Sequence, residues 1–356
     1  MELLTDITIR KTNHSRIKEI DANRPEFGKY ISDHMLLCDY AKDEWGQTYI
    51  VPFANLSMSP ATLALHYGQT VFEGMKAFRM EDGRINIFRL DKHYDRFVKS
   101  LDRMCMAAPP KEVFTEGIIQ LVSLDNAWVP AKAGEALYIR PFVYASEAKF
   151  GIKIAEEFRF VVFTGPVAQL YAKPMKVKVE TEYTRAGKGG TGFAKCGGNY
   201  GGAFYPTKLA RQQGYDQVLW TTGGEDATIE ESGTMNVMFV IENKLVTPPL
   251  SDSILDGVTR DSLLVLANEL GITVEERTIS VDELETAFLT KKITEAFGAG
   301  TAAVVAPIET VHINGIDFTL PEYSHESIVN QLKSKLASIR SGKEVDVYGW
   351  NYILSF

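Results

Sequence analysis

Lys195 lies in "FAKCGG", flanked by Phe193, Ala194 and Cys196, inside a run from Gly187 to Gly202 that is half glycine. An amine that attacks a carbonyl must be neutral, and apolar neighbours favour that form. A lysine so placed can hold a carbonyl ligand as a Schiff base. If that ligand carries a phosphate and a ring nitrogen, the chain must also supply an anion site and a carboxylate. Both are available. Glu231 in "EESGTMNVMFV" sits just before a glycine and a hydrophobic strand, where a carboxylate can be buried. "DGVTRDSLLVL" offers main-chain amides and Thr259 at a helix start, and "FGAGTAAV" offers a second glycine-rich nest ending in Thr301. Each turn taken alone is an ordinary structural feature.

The glycine run admits three readings: a phosphate-cradling loop, a covalent lysine site, or a flexible connector. Glycine reaches positive φ and lets backbone approach a ligand closely, at an entropic cost. Gly187, Gly189 and Gly192 have the spacing of a dinucleotide fingerprint, but "ETEYTRA" before them is no hydrophobic strand, and more glycines follow where a helix should start. Lys195 lacks the preceding glycine and following serine or threonine of a P-loop. Lys188 and Lys195 both read as solvated lysines until the company of Glu231, Thr259 and Thr301 is counted.

The 356 residues suffice for two domains of ordinary size. A hydrophobic share of 45% with 24% charged residues describes a soluble globular chain. The net charge of -8 and the lack of a basic run argue against nucleic acid. No apolar stretch approaches a membrane span, and "MELLTDITIRK" has no signal-peptide pattern. Cys38, Cys105 and Cys196 are odd in number and far apart, as in a reducing compartment, so a cytoplasmic location is expected. No metal site is expected.

The elements that must position these residues follow from periodicity. Strand-like runs recur in "GRINIFRL", "EALYIRPFVYAS", "FRFVVFTGPV", "MKVKVE", "YDQVLWTT", "MNVMFVIENKLVT" and "ITEAFGAG". In "LDKHYDRFVKSLDRM", Tyr94, Phe97, Leu101 and Met104 share a helical face; in "VTRDSLLVLANELG", Leu263, Leu266, Ala267 and Leu270 do, with Gly271 as the stop. Ser280 and Glu283 form a capping box. Strands come in adjacent hairpins rather than strict alternation with helices, which predicts an α+β fold. "AQLYAKPMK" is the best linker candidate. The division expected is a small N-terminal α+β domain over 1–170, a linker over 171–181 and a large C-terminal domain over 182–356 that carries the lysine.

Together these segments resemble the fold-type IV pyridoxal-phosphate enzymes, and among them the branched-chain amino acid aminotransferases. The resemblance runs almost end to end in order and spacing: "FGKYISDHML", "LHYGQTVFEGMKAFR", "DKHYDRF", "LYIRP", "FAKCGGNYGG", "EESGTMN", "LDGVTR" and "FGAGTAA". The class signature through Glu231, Asn236, Thr247, Gly257 and Arg260 is met, except that Met238 stands where an aromatic is usual. The resemblance implies a two-domain fold with mixed sheets and pyridoxal 5'-phosphate between the domains. It implies ping-pong transfer of the amino group between leucine, isoleucine or valine and 2-oxoglutarate, with glutamate as the other amino acid. A homodimer is also implied.

Roles follow by the same resemblance. Lys195 forms the Schiff base and, once displaced by substrate, moves the α-proton, while Lys188 has no counterpart. Glu231 pairs with the ring nitrogen and Tyr200 with the ring hydroxyl. Arg96, Thr259 and Thr301, with the Val258 amide, hold the phosphate; on pattern alone Arg96 is equally an exposed helix arginine. Period-two alternation in "LYIRP" puts Tyr138 and Arg140 on one strand face, which without the resemblance reads as well as a half-exposed strand edge. In the family these line the side-chain pocket with Phe27, Phe72 and, from the neighbouring subunit, Tyr67. Thr234 and Ala302 bind the α-carboxylate through main-chain amides. Tyr171 aligns with a pocket aromatic only after a one-residue shift and is left out. "GTAAVVAPI" lacks the cysteine pair that some animal relatives use as a redox switch, and Cys196 reads as a small packing residue. The rivals are another enzyme of the fold, acting on D-amino acids or aminodeoxychorismate, and a protein that binds the cofactor without turnover.

Overall fold

The computed structural model describes residues 6–20, 27–168 and 173–354. Tyr171, and with it the start of the expected linker, lies outside the described residues. In chain order come β1 (Ile7–Ile9), β2 (His34–Ala41), β3 (Glu44–Pro52), α1 (Leu63–Tyr67), β4 (Thr70–Phe72), β5 (Met75–Arg79) and β6 (Ile85–Phe88). Next are α2 (Leu90–Arg103), α3 (Lys111–Leu124), β7 (Ala136–Ala145), β8 (Phe158–Val167), β9 (Met175–Glu180), α4 (Gly198–Gly201) and α5 (Phe204–Gln212). Then follow β10 (Gln217–Thr221), β11 (Ile229–Ser232), β12 (Met235–Ile241), β13 (Lys244–Thr247), α6 (Val258–Glu269), β14 (Val274–Glu276) and α7 (Val281–Leu289). Last are β15 (Ile293–Gly300), β16 (Val304–Ile313), β17 (Ile316–Thr319), α8 (Ile328–Ser341) and β18 (Asn351–Leu354).

Two compact units emerge: Met1–Leu170 with Ala194–Gly198 and Ile339–Phe356, and Tyr171–Phe193 with Asn199–Ser338. Chain order alone gives everything after the linker to one domain. Backbone pairing does not follow chain order: β18 hydrogen-bonds to β6 (Leu354 opposite Ile85), and Cys196 bridges to Val71. The segment carrying Lys195 thus belongs to the first unit.

The first unit is a nine-stranded sheet ordered β1-β3-β2-β8-β7-β5-β6-β18, with β4 on β7. β7 has neighbours on both sides, so most of "ALYIRPFVYA" is buried and its alternation is muted. α2 and α3 cover this sheet. On α2 the expected face holds: Phe97 and Leu101 are fully buried, and Tyr94 and Met104 pack against them half-buried. Phe97, Phe114 and Phe160 meet at centroid distances of 5.5 to 6.0 Å. Each ring adds about 1.5–3 kcal/mol by leaving water.

The second unit is built on another nine-stranded sheet. β11 pairs with both β10 and β12, so β11, β10, β9, β16, β15 and β12 close into a ring. β9 runs parallel to β10 and β16 while most other pairs are antiparallel. This mixed, hairpin-rich arrangement is the α+β fold expected. Every residue of β12 is buried, Met238 included, so a thioether fills the place of the usual aromatic. Ser280 Oγ accepts the Glu283 N–H at 3.0 Å and caps α7. On α6, Leu263, Leu266 and Ala267 are buried, but Leu270 is the C-cap, 39% exposed, because the helix ends there and Gly271 turns the chain at φ +74°.

Candidate active site

In the first unit the Lys195 segment is tied to β4 by an isolated bridge between Cys196 and Val71. The Phe72 N–H donates to the Lys195 carbonyl at 3.0 Å, and the Gly197 N–H to the Thr70 carbonyl at 3.1 Å. A Cβ on Gly197 would lie 2.4 Å from Thr70 Oγ1, so this close approach requires glycine. The Lys195 N–H donates to Ser100 Oγ at 2.9 Å, and Ser100 Oγ donates to the Arg96 carbonyl one turn back on α2. Backbone and helix together fix where the lysine side chain starts.

That side chain ends over an aromatic floor. Lys195 Nζ stands 4.9 Å from the centre of the Phe72 ring, and the Arg140 guanidinium is also 4.9 Å from it. Arg140 leans on Tyr138 at 5.3 Å, donating from Nη2 to its hydroxyl at 3.4 Å, and Phe27 meets Tyr138 edge-on at 5.0 Å. Phe27, Phe72, Tyr138, Arg140 and Lys195 therefore converge, with Tyr138 and Arg140 on one face of β7 as the alternation in "LYIRP" predicts. β7 is central rather than an edge, and Tyr138 is buried. Arg140 Nε is buried and has no hydrogen-bond partner among the described residues.

Arg96 is no solvated helix arginine: it is buried on α2 and gripped by Glu73. Nε donates to Oε1 at 2.7 Å and Nη2 to Oε2 at 2.8 Å, while His93 Nδ1 and the Gly74 N–H reach Oε2 at 2.9 and 3.1 Å. Burial alone would raise the Glu73 carboxyl; the charge and bonds of Arg96 outweigh it and hold the group far below its usual range. Burial pushes the His93 imidazole down, against the pull of Glu73. Sequence reading missed Glu73, His93 and Ser100. The signal was there: an acid among apolar residues in "TVFEGM", and His93, Arg96 and Ser100 at helical spacing.

The second unit gathers the other groups at one end of its ring of strands. Glu231, 3% exposed on β11, accepts the Leu255 N–H on Oε1 at 2.9 Å and faces Arg185 Nε from Oε2 at 3.0 Å. Asn236, opposite Glu231 across the β11–β12 hairpin, donates to its Oε1 at 3.4 Å and to the Leu255 carbonyl at 2.9 Å. A Cβ on Gly257 would lie 1.9 Å from Asn236 Oδ1, so the N-cap of α6 must be bare. No side chain caps α6, and Val258 and Thr259, both buried, open its first turn. Thr301 and Ala302 form the half-buried turn after β15, and Thr234 is exposed in the tight turn between β11 and β12. Thr247 and Arg260 act on backbone: Thr247 Oγ1 donates to the Val237 carbonyl, and Arg260 Nη2 to the Pro248 carbonyl and Glu276. Arg185, which also donates to the Ser253 carbonyl, was missed; a single arginine before a glycine run gives little warning.

Tyr200 is half-buried in α4. Tyr67 stands apart from the aromatic cluster. It ends α1, 43% exposed, and its hydroxyl accepts the Gly151 N–H at 3.0 Å. No group of metal-ligating side chains occurs among the described residues.

The sequence pattern of the amino-transferase class IV family matches residues 70–311. A probable branched-chain-amino-acid aminotransferase of Staphylococcus epidermidis is 42% identical over 329 residues, covering 91% of this chain and 92% of the relative. The branched-chain-amino-acid aminotransferase 2 of Bacillus subtilis is 39% identical over 352 residues, 98% of this chain and 97% of its own. The chain belongs to the class IV branched-chain-amino-acid aminotransferases. The fold agrees: the branched-chain amino acid aminotransferase of Thermobaculum terrenum, solved in its PLP form, superposes with a TM-score of 0.73 at 24% identity over 90% of this chain and 98% of that one.

Proposed function

We propose that this enzyme moves the amino group between leucine, isoleucine or valine and 2-oxoglutarate, with the Lys195 amine over Phe72 as the observation that carries the reading. Class IV aminotransferases use pyridoxal 5'-phosphate, and the donor set suits that group. Val258 N–H and Thr259 open the uncapped turn of a 12-residue helix, where unpaired amides and the helix dipole favour a phosphate. Arg96, aimed by Glu73, and Thr301 add donors. Glu231 is a carboxylate already fixed by a backbone amide and a cation, suited to accept an N–H from a pyridinium ring.

The cofactor supplies an aldehyde to take up the amino group and a ring to delocalise the electron pair left when the α-proton departs. Lys195 Nζ, the amine standing over Phe72, would hold the cofactor and would carry the proton taken from the substrate's α-carbon. Tyr200 would hydrogen-bond the ring hydroxyl. Thr234 and Ala302 offer amides to the α-carboxylate. Phe27, Phe72 and Tyr138 wall off water around a branched side chain, and Arg140 answers the second carboxylate of 2-oxoglutarate.

A homodimer completes the reading. Phe150, Ile152 and Ile154 are 85%, 90% and 60% exposed in the single chain, beside Leu65 and Tyr67. An apolar patch of this kind marks a protein interface, and Tyr67 would reach the partner's pocket from it. No described helix is long and apolar enough to cross a membrane, and with three free cysteines a cytoplasmic location fits. The test is a panel of amino donors with 2-oxoglutarate, followed by absorbance. Turnover with leucine, isoleucine and valine is expected; turnover confined to D-amino acids, or cofactor absorbance without turnover, overturns the proposal.

A further inference from the structure

The second unit holds a cavity of about 520 Å³ that no step above uses. This is ample for one small molecule. Its walls come from the glycine-rich run through Lys188, from β11 through Glu230, and from the loop after β13 through Pro248, Pro249, Asp252 and Ser253.

Along β11 successive side chains point to opposite faces. Glu231 turns to Arg185 and the Leu255 amide, while Glu230 turns to Ser253, whose hydroxyl it accepts on Oε1. Glu230 is 97% buried by its 3% exposure, and its other oxygen, Oε2, has no hydrogen-bond partner among the described residues. A buried carboxylate oxygen left unpaired costs free energy that a donor would recover. Burial, helped by the charge of Glu231, pushes the Glu230 carboxyl up, against the Ser253 bond and the charge of Arg185. Lys188 is exposed and has no ion-pair partner among the described residues. Lys188, Glu230, Pro248 and Pro249 thus line a single cavity.

We infer that this cavity binds a free α-amino acid with an apolar side chain, its ammonium on Glu230 and its carboxylate on Lys188, separately from the amino-transfer site. The cavity also adjoins the loop that leads to Lys195. Asp252 accepts the Gly189 N–H on Oδ2 at 3.2 Å and the Phe193 N–H on its carbonyl at 3.0 Å. An occupant held between Lys188 and Glu230 therefore stiffens residues 187–193.

L-Selenomethionine is the probe, because its selenium marks an amino acid by anomalous scattering wherever it lodges. Holoenzyme crystals are soaked with it, and binding in solution is followed by equilibrium dialysis, with amide exchange of residues 187–193 as a second reading. A selenium peak in the cavity is expected, with slower exchange on binding and affinity at this site weakened tenfold or more by Glu230→Gln and by Lys188→Ala. Lys188→Ala alters an exposed loop residue and decides the matter should Glu230→Gln fail to fold. Absence of selenium from the cavity, a peak at crystal concentration only, or affinity unchanged in the variants overturns the inference. Amino transfer is assayed separately, so a failure of the proposed reaction leaves the cavity result readable.

Discussion

Glu73 and Arg96 are joined by two parallel N–H···O bonds of 2.7 and 2.8 Å, with both groups buried. Removing one partner of a buried pair leaves the other uncompensated, at a cost of about 3–5 kcal/mol. Glu73→Gln is therefore expected to lower stability by that order in urea melts. A phosphate reaching Arg96 would supply the missing anion, so the gain in Tm on adding pyridoxal phosphate should be larger in the variant than in the native enzyme. An equal gain in both would separate Arg96 from phosphate binding. The acid side follows from the sign: a carboxyl held below its unfolded value of 4.5 stabilises the fold above that pH and loses the contribution as pH falls beneath it. Glu73→Gln should flatten that limb.

In the proposed reaction Arg140 meets two substrates of opposite character. Its Nε is buried without a hydrogen-bond partner among the described residues, and its hold on the Tyr138 hydroxyl is long, at 3.4 Å. The guanidinium thus has donor capacity left for a second carboxylate. Arg140→Met should weaken the half-reactions with glutamate and 2-oxoglutarate by about tenfold to hundredfold, the worth of a lost charged hydrogen bond, while sparing leucine. Single-turnover absorbance of each half-reaction decides this, and equal losses would refute it.

What the sequence revealed depended on the range of the interaction. Period-two spacing put Tyr138 and Arg140 on one face because that rule is local to a strand, and helical spacing found Phe97 and Leu101 for the same reason. The unit to which Lys195 belongs was not legible, because the bridge from Cys196 to Val71 and the pairing of β18 with β6 join residues more than a hundred positions apart. Glu73 escaped likewise: an acid in the short link between β4 and β5 shows its role only when its arginine on α2 is in place. Met238 looked like a departure in sequence and proves to be core packing.

Lys76 offers a test of pH dependence. It is buried on β5, and burial, helped by the charge of Arg340, lowers its amine to about 7 from 10.5. Between those values the unfolded chain binds the proton more tightly than the folded one, so stability rises with pH. Lys76→Met should remove a rise on the order of 4 kcal/mol between pH 7 and 10, taken as the difference between the two proteins in urea melts. Parallel curves would show that Lys76 stays charged in the fold.

Gly197 and Thr70 isolate the close approach on which the lysine segment depends. A methyl group at Gly197 would press on Thr70 Oγ1 at 2.4 Å, so the bridge between β4 and the Lys195 segment must open or shift. Gly197→Ala is expected to cut turnover by at least tenfold and to weaken cofactor retention, and Thr70→Ala in the same chain should restore much of both by removing the opposing oxygen. If the second change restores neither, the glycine is needed for something other than this contact.

The two lysines of the glycine run divide its roles. Lys195 has its backbone fixed by Ser100 and Phe72 and its amine over an aromatic ring, whereas Lys188 is exposed. Lys195→Ala should abolish the absorbance of covalently held cofactor and nearly all transamination, because attachment and proton transfer use the same amine. Lys188→Ala should leave turnover at saturating substrates within about twofold, as expected of a change at an exposed loop residue. Spectra and steady-state rates of the two variants side by side are the check. Retained covalent absorbance in Lys195→Ala would move the attachment point elsewhere, and its loss in Lys188→Ala would place that point on the first lysine instead.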